Sequence, residues 1–252
     1  MMQYAKRYEL KDKAKDSLTG KYSTVILGSF LFSLIIAAVL LVFAFPYLMS
    51  AMMMTLTGTG SFDTFSVRLY QAGTLVSQVL SGFLSFGLAY LCLNIVCGRP
   101  YHYGNVFYGF QKENILKILI LSVIQTAVNT LCLIPYDYLR AKYQAAQDTQ
   151  WLIAALFALA VGYIVYIPIG LALDFSYYLL LDFPNRKAPE IIRSSFRAIR
   201  GHRMRFFLLQ CSFIPLYLLC SLTLGVGFLW LTPYMHMTFA LFYLDRMMPA
   251  EG

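Results

Sequence analysis

Apolar residues in this chain gather into six long runs separated by short polar stretches, and each run is continuous instead of confined to one helical face. The first extends from Val25 to Leu48 without one charge. The others cover about residues 73–97, 115–134, 151–181, 206–224 and 228–244. Some 20 apolar residues in helical form are enough to cross a bilayer, so each run predicts a transmembrane helix. The run at 151–181 exceeds one crossing, which calls for a tilt, a break near Pro168 and Gly170, or an extension beyond the bilayer. The expected fold class is therefore all-α: an integral membrane helical bundle of about six spans in one domain, residues 25–246.

The stretches between the runs carry their own signals. Residues 49–72 are rich in Thr, Ser and Gly, with only Asp63 and Arg68 charged, and predict an exposed loop. A second loop is expected over 135–150. Between them, Tyr101, Tyr103, Phe107, Tyr108 and Phe110 alternate with glycines, which suits an aromatic belt at headgroup level. Gly82 and Gly87 leave room for close helix approach. Gly225, Gly227 and Pro233 mark the turn into the last run. A signal peptide competes for the first run, but its apolar core would be shorter and no clean small-x-small cleavage site follows.

Two segments are basic and amphipathic. Residues 1–24 hold six Lys or Arg, with Leu10, Ala14 and Leu18 at helical spacing. In the second, 188–201, Pro189 suits a first helical turn and Gly201 a left-handed stop. Ile191, Ile192, Phe196 and Ile199 share one face, Arg193, Arg197 and Arg200 the other, and Arg203 and Arg205 follow. Such helices are expected to lie on the bilayer surface, apolar side down. The alternative for the arginine face is a docking surface for a cytoplasmic partner or an acidic ligand.

Composition sharpens this picture. Of 252 residues, 59% are hydrophobic and 13% charged, against about 25% charged in soluble domains. Lipid is thus the expected solvent. The net charge of +8 has a matching cause. With the N-terminus inside, seventeen of the twenty Lys and Arg fall on cytoplasmic segments, leaving Arg68, Arg140 and Lys142 outside. Both termini are expected in the cytoplasm, the C-terminal one as a short tail, 247–252. Basic residues placed beside apolar runs predict a bilayer with anionic headgroups as partner, joined by another membrane protein or a second copy, and no nucleic acid.

Candidate chemistry is sparse. The five cysteines, Cys92, Cys97, Cys132, Cys211 and Cys220, lie in or at the ends of apolar runs without zinc spacing. No metalloprotease or phosphate-loop motif is present, the three histidines sit in separate segments, and the four Glu lie near termini or loops. No cofactor, metal or catalytic residue is expected. Asp174 is the one acidic side chain clearly inside an apolar run, with Asn94, Gln125, Asn129 and His236 as polar groups able to meet it from other spans. It is either a protonatable or cation-binding site, or a structural residue that snorkels or bonds a neighbouring helix.

The tail carries a more specific pattern: Ser195-x5-Gly201, Phe206-Phe207, Ser212-Phe213-Ile214, Thr223-x-Gly225-x-Gly227-x-x-Trp230-x-x-Pro233-Tyr234 and Phe242-Tyr243. It resembles domain of unknown function 975, a family of bacterial integral membrane proteins. Leu10-Lys11-x-x-Ala14-Lys15-x-x-Leu18-x-Gly20 and Phe107-x-Gly109-Phe110 are further matches. Asp182-Phe183-Pro184 is similar to the family's Asp-Asn-Pro, while Pro215-Leu216 and Ile167-Pro168-Ile169-Gly170 depart from its pattern. The resemblance implies a multi-pass protein of the bacterial plasma membrane, more distantly similar to the membrane domain of some glycerophosphodiester phosphodiesterases. It brings no catalytic residues. The functional expectation is a non-enzymatic accessory, scaffold or lipid-interacting protein. The alternative is a small transporter or channel with Asp174 on its pathway and Pro168/Gly170 as hinge.

Overall fold

The computed structural model describes residues 5–57, 64–146, 148–223 and 225–247. Among the described residues the chain is all-α: α1 Arg7–Leu18, α2 Tyr22–Thr57, α3 Thr64–Val96, α4 Lys112–Ala146, α5 Thr149–Asp182, α6 Ala188–Ala198, α7 Arg203–Cys211, α8 Ile214–Leu222 and α9 Phe228–Met247. A 3-10 segment, Tyr103–Phe110, joins α3 to α4. Among the described residues five stretches are long and apolar enough to cross a membrane: α2, α3, α4 to Tyr143, α5, and α7–α8 taken together.

The expected loop at 49–72 is largely helix, because α2 runs on to Thr57 and α3 begins at Thr64. Its hydroxyls are satisfied locally: Ser50 donates to Pro46 O at 2.9 Å, Thr55 to Met52 O at 2.8 Å and Thr57 to Met53 O at 2.7 Å. A hydroxyl bonded one turn back needs no water, so these polar residues sit on a helix in apolar surroundings. Asp63 lies outside the described residues, and Arg68 belongs to α3. The loop expected over 135–150 is likewise helical as far as Ala146, and Asp148 then caps α5 by accepting from Gln150 N at 3.1 Å. Nor does α5 break at Pro168: it is one helix from Thr149 to Asp182.

The run at 206–224 is interrupted. Pro215 has no N–H and its ring would strike the carbonyl four residues back, so α7 stops at Cys211 and α8 restarts with Pro215 in its first turn. Leu224 lies outside the described residues, as does the tail from 248 on. The sixth run forms α9, but Thr232, His236, Thr238, Asp245 and Arg246 keep it outside the set of five crossing-capable stretches. The α8–α9 hairpin is short against its neighbours. Phe228, Leu229 and Thr232 at its turn share a groove with Ser33, Leu34 and Ala37 of α2. From there α2 continues to Thr57, about 30 Å further at 1.5 Å per residue.

Burial divides the bundle in two. Buried positions of α3 concentrate in 82–95 and those of α5 in 170–180, while the other ends of both helices, most of α2 and the outer part of α4 expose Leu, Ile, Val, Met and Phe. The buried half is built by α6, α7, α9 and α1 closing around α3 and α5. Phe175, Phe206, Phe242 and Tyr243 form its centre, with Phe206 and Phe242 stacked at 4.8 Å. The 3-10 segment wedges between α2 and α3, pairing Phe107 with Phe32 at 5.4 Å and stacking Tyr108 on Tyr90 at 3.9 Å. Those rings serve packing, and Tyr101 and Tyr103 remain exposed.

Neither basic helix lies with its apolar face free. Leu10, Ala14 and Leu18 of α1 are buried against the protein, chiefly on α9, and Lys11 donates to Ser212 O at 3.0 Å where α7 gives way to α8. In α6, Ala188, Ile191 and Ser195 are buried, and Ser195 Oγ donates to the Ala172 carbonyl of α5. The apolar stripes expected on lipid are spent on other helices, chiefly α9 for α1 and α5 for α6. Gly201, at φ +88°, ends this segment as expected.

Candidate ligand site

Polar side chains of α4 and α5 meet in one network. Asp174 Oδ1 accepts from Gln125 Nε2 at 2.8 Å, and Tyr177 OH donates to Gln125 Oε1 at 2.8 Å. Ser122 Oγ lies 3.3 Å from the same Tyr177 hydroxyl. Ser122, Gln125 and Asn129 are three and four residues apart, so α4 presents them as one stripe toward α5. Gly82 admits α3 to the group: a Cβ there would overlap Ser122 Oγ and lie 2.7 Å from Tyr177 OH.

On one side of this network is a cavity of about 420 Å³, between α5, α7, α8 and α9. Aromatic and aliphatic side chains form most of its wall, and its polar members are Ser85, Asp174, Gln210, His236 and the tyrosines. A concave, mostly apolar space with a few converging polar groups is the usual form of a small-molecule site. None of the chain's twenty Lys and Arg lines it. On the other side, Gln78, Ser81, Gln125, Thr126, Asn129 and Tyr166 line a smaller groove of about 230 Å³.

The expected polar set is thus partly united. Asp174 and Gln125 are bonded, His236 shares the larger cavity, and Asn129 lies one turn beyond Gln125 in the groove. Tyr178 OH donates to the carbonyl of His236 at 3.3 Å. Asn94 is buried near the far end of α3 and lines neither space. Ser122, Tyr177, Ser85, Gln210 and Tyr166 were not singled out in the sequence; the polar stripe of α4 was the available signal for Ser122. Among the described residues, no three His, Cys, Asp or Glu gather as a metal site.

The arginines separate into two groups. Arg193, Arg197, Arg200 and Arg203 are exposed, Arg203 lying 5.9 Å from the Phe196 ring. Arg205, expected with them on the surface, turns inward: its Nη2 pairs with Asp245 at 3.2 Å and donates to Ala5 O at 2.7 Å. Asp245 also accepts from Ala5 N at 2.9 Å, so one ion pair ties α7, α9 and the N-terminal segment together. Of the turn residues, Gly225 takes φ +87° and Gly227 lets α9 pass Cys220, whose Sγ would lie 2.7 Å from an added Cβ. Pro233 is buried inside α9, and Gly170 is buried beside Tyr166.

No curated protein and no solved structure matches the chain. A family model does, over residues 1–247, and the chain belongs to that family, described as protein of unknown function (DUF975).

Proposed function

We propose that this protein is a non-enzymatic, lipid-interacting membrane protein that takes an amphiphile into the cavity at Asp174. The observation carrying this reading is the cavity itself: about 420 Å³, walled mainly by apolar and aromatic side chains, with one carboxylate held by Gln125. Its position relative to the bilayer supports the reading. Lys142 lies 4.6 Å from the Trp151 ring and 4.9 Å from that of Tyr138, a basic and aromatic anchor suited to one interface. About 20 residues, or roughly 30 Å, along α5 from Trp151 reach Gly170, where the nearly continuous buried stretch begins. Asp174 then sits at the headgroup level of the other leaflet, with Ile167 on the hydrocarbon side.

The membrane is the bacterial plasma membrane with both termini cytoplasmic, as the distribution of Lys and Arg supports. The exposed face of Arg193, Arg197 and Arg200 fits anionic headgroups or an acidic partner at that surface. The test is binding in nanodiscs of uncharged glycolipid, which brings no ammonium group of its own. A nitroxide-labelled alkyl amphiphile without charge should quench a Trp placed at Phe207, which lines the cavity, in a background with Trp151 and Trp230 replaced by Phe. Saturable quenching that an unlabelled analogue reverses supports the reading; quenching that only rises linearly with probe in the bilayer refutes it.

A further inference from the structure

We infer that the amphiphile carries a cationic ammonium group, seated against Asp174 and the aromatic faces beside it. The inference rests on the cavity reading above and adds the chemistry of the headgroup. Its first support is charge. Among the described residues Asp174 is the only charged one lining the cavity, and the ion pairs are Lys15–Asp12 and Arg205–Asp245, both elsewhere. Gln125 supplies one donor to Oδ1, which leaves a carboxylate with lone pairs to satisfy at the edge of an apolar space. An anionic headgroup would meet this carboxylate with no Lys or Arg to receive it.

The second support is the wall. Tyr177, Tyr178, Tyr217, Phe206 and Phe239 line the same cavity as Asp174. Ring faces attract a nearby cation, and a box of aromatic rings with a carboxylate is the chemistry that recognises substituted ammonium groups. A bare metal ion fits poorly, since hard cations need six or more oxygen ligands and no three acidic, His or Cys side chains gather among the described residues.

The third support is a route for the chain. α8 packs chiefly on α9. Its Ile214 and Tyr217 face Ile167 of α5 across the cavity, and Leu218, Leu219 and Leu222 beyond them are exposed. A headgroup at Asp174 therefore has an apolar slot running toward lipid for the tail it carries.

The experiment uses the Phe207→Trp protein in the same uncharged glycolipid nanodiscs with three competitors of the nitroxide reporter. They are dodecyltrimethylammonium, the same chain ending in an uncharged tert-butyl group, and tetramethylammonium. The expected result is that the ammonium amphiphile competes about tenfold more tightly than its neutral isostere. Asp174→Asn should remove most of that preference, leaving only the part the rings supply, while the isostere still competes, which shows that the variant is folded. Equal affinities in the unmutated site overturn the ammonium assignment and leave the cavity reading standing. Failure of the reporter itself to bind saturably overturns both. Tetramethylammonium competing as well as the long-chain compound overturns the assignment to an amphiphile, because the ligand would then be a water-borne organic cation.

Discussion

The wedge of the 3-10 segment between α2 and α3 makes a prediction whose two arms differ in whether a second substitution rescues the first. Gly87 faces the backbone of Val106: an added Cβ would overlap its carbonyl oxygen and lie 2.8 Å from its Cα. Gly28, across the wedge, faces the side chain, with Val106 Cγ2 at 2.6 Å and Tyr103 O at 2.9 Å. Ordinary contact lies near 3.5–4 Å, so in Gly87→Ala the segment must withdraw by about 1–2 Å. That movement disturbs the pairs Phe32–Phe107 at 5.4 Å, Phe83–Phe110 at 4.8 Å and Tyr90–Tyr108 at 3.9 Å. Each such pair is worth about 0.5–1.5 kcal/mol. Overpacking adds about 1–3 kcal/mol, while Ala in place of Gly returns about 1 kcal/mol of helix propensity. The expected loss is about 3 kcal/mol for Gly87→Ala and somewhat less for Gly28→Ala. Val106→Ala removes the nearer of the two atoms that Gly28→Ala strikes, leaving Tyr103 O, but not the carbonyl that Gly87→Ala strikes. Reversible unfolding in mixed micelles should therefore show a rescue of about 1 kcal/mol for the Gly28→Ala/Val106→Ala pair, and near-additivity for the Gly87→Ala/Val106→Ala pair. A Gly87→Ala protein as stable as the parent, or equal rescue in both pairs, refutes the packing argument.

Arg205→Ala should cost about 1.5–3 kcal/mol, since it removes charge-assisted bonds to Asp245 and Ala5 O, and Arg205→Lys should recover only part. Limited proteolysis near α1 reads the loss directly, and unchanged protection in Arg205→Ala would contradict the tie. His202 is held below its usual value by burial, then by Arg246 and Arg205, with Asp245 opposing. Its contribution to stability is in place above the unfolded value near 6.5 and is lost as pH falls through the lower folded value. His202→Gln should flatten the melting temperature between pH 7 and 5, and an unaltered slope would remove this group as the cause. The turn of the α8–α9 hairpin meets α2 at Leu34 and Ala37, far short of Thr57. Val226→Cys should thus resist an impermeant maleimide that reaches Lys142→Cys from outside, and equal labelling would mean that the hairpin crosses fully.

Continuous apolar runs made the helical class and the main elements legible, because a run such as Val25–Leu48 has no other stable form in lipid. Element ends were harder. Ser50, Thr55 and Thr57 look like loop residues until their hydroxyls are seen bonded one turn back. Pro215 marked a real interruption, whereas Pro135 and Pro168 did not, and the three differ in packing: α4 and α5 support each other as a long antiparallel pair, while α7 and α8 have no such partner. Asp174, Gln125 and His236 were readable as rare polar residues in apolar surroundings. Their neighbours Tyr177, Phe206 and Tyr217 were not, since an aromatic residue in an apolar run carries no mark of facing a cavity.

The two basic helices teach a related lesson. Ile191, Ile192, Phe196 and Ile199 form the kind of stripe that suits a bilayer surface, yet Ile191 and Ile199 are buried in protein and Ile192 and Phe196 pack partly buried against the same core. Amphipathicity specifies that one face is apolar; it leaves open what covers that face. The answer comes from the length of α5. A helix of 34 residues is about 51 Å long, and some 20 of those residues suffice for a hydrocarbon core. A steep tilt would leave the whole helix exposed to lipid, and a break at Pro168 would end it early. Instead its exposed apolar positions stop before Gly170, and its buried ones, scattered at Ala155 and Gly162 before that, become nearly continuous from there to Leu180. On the placement proposed above the excess is extension, and an extended helix with an apolar surface beyond the lipid must be covered by something. α6, α7 and α9 cover it, leaving one gap in the cover, between α5 and α8, where Asp174 looks out. The candidate site is thus a consequence of the fold: it lies where helices packed by lipid become helices packed by protein.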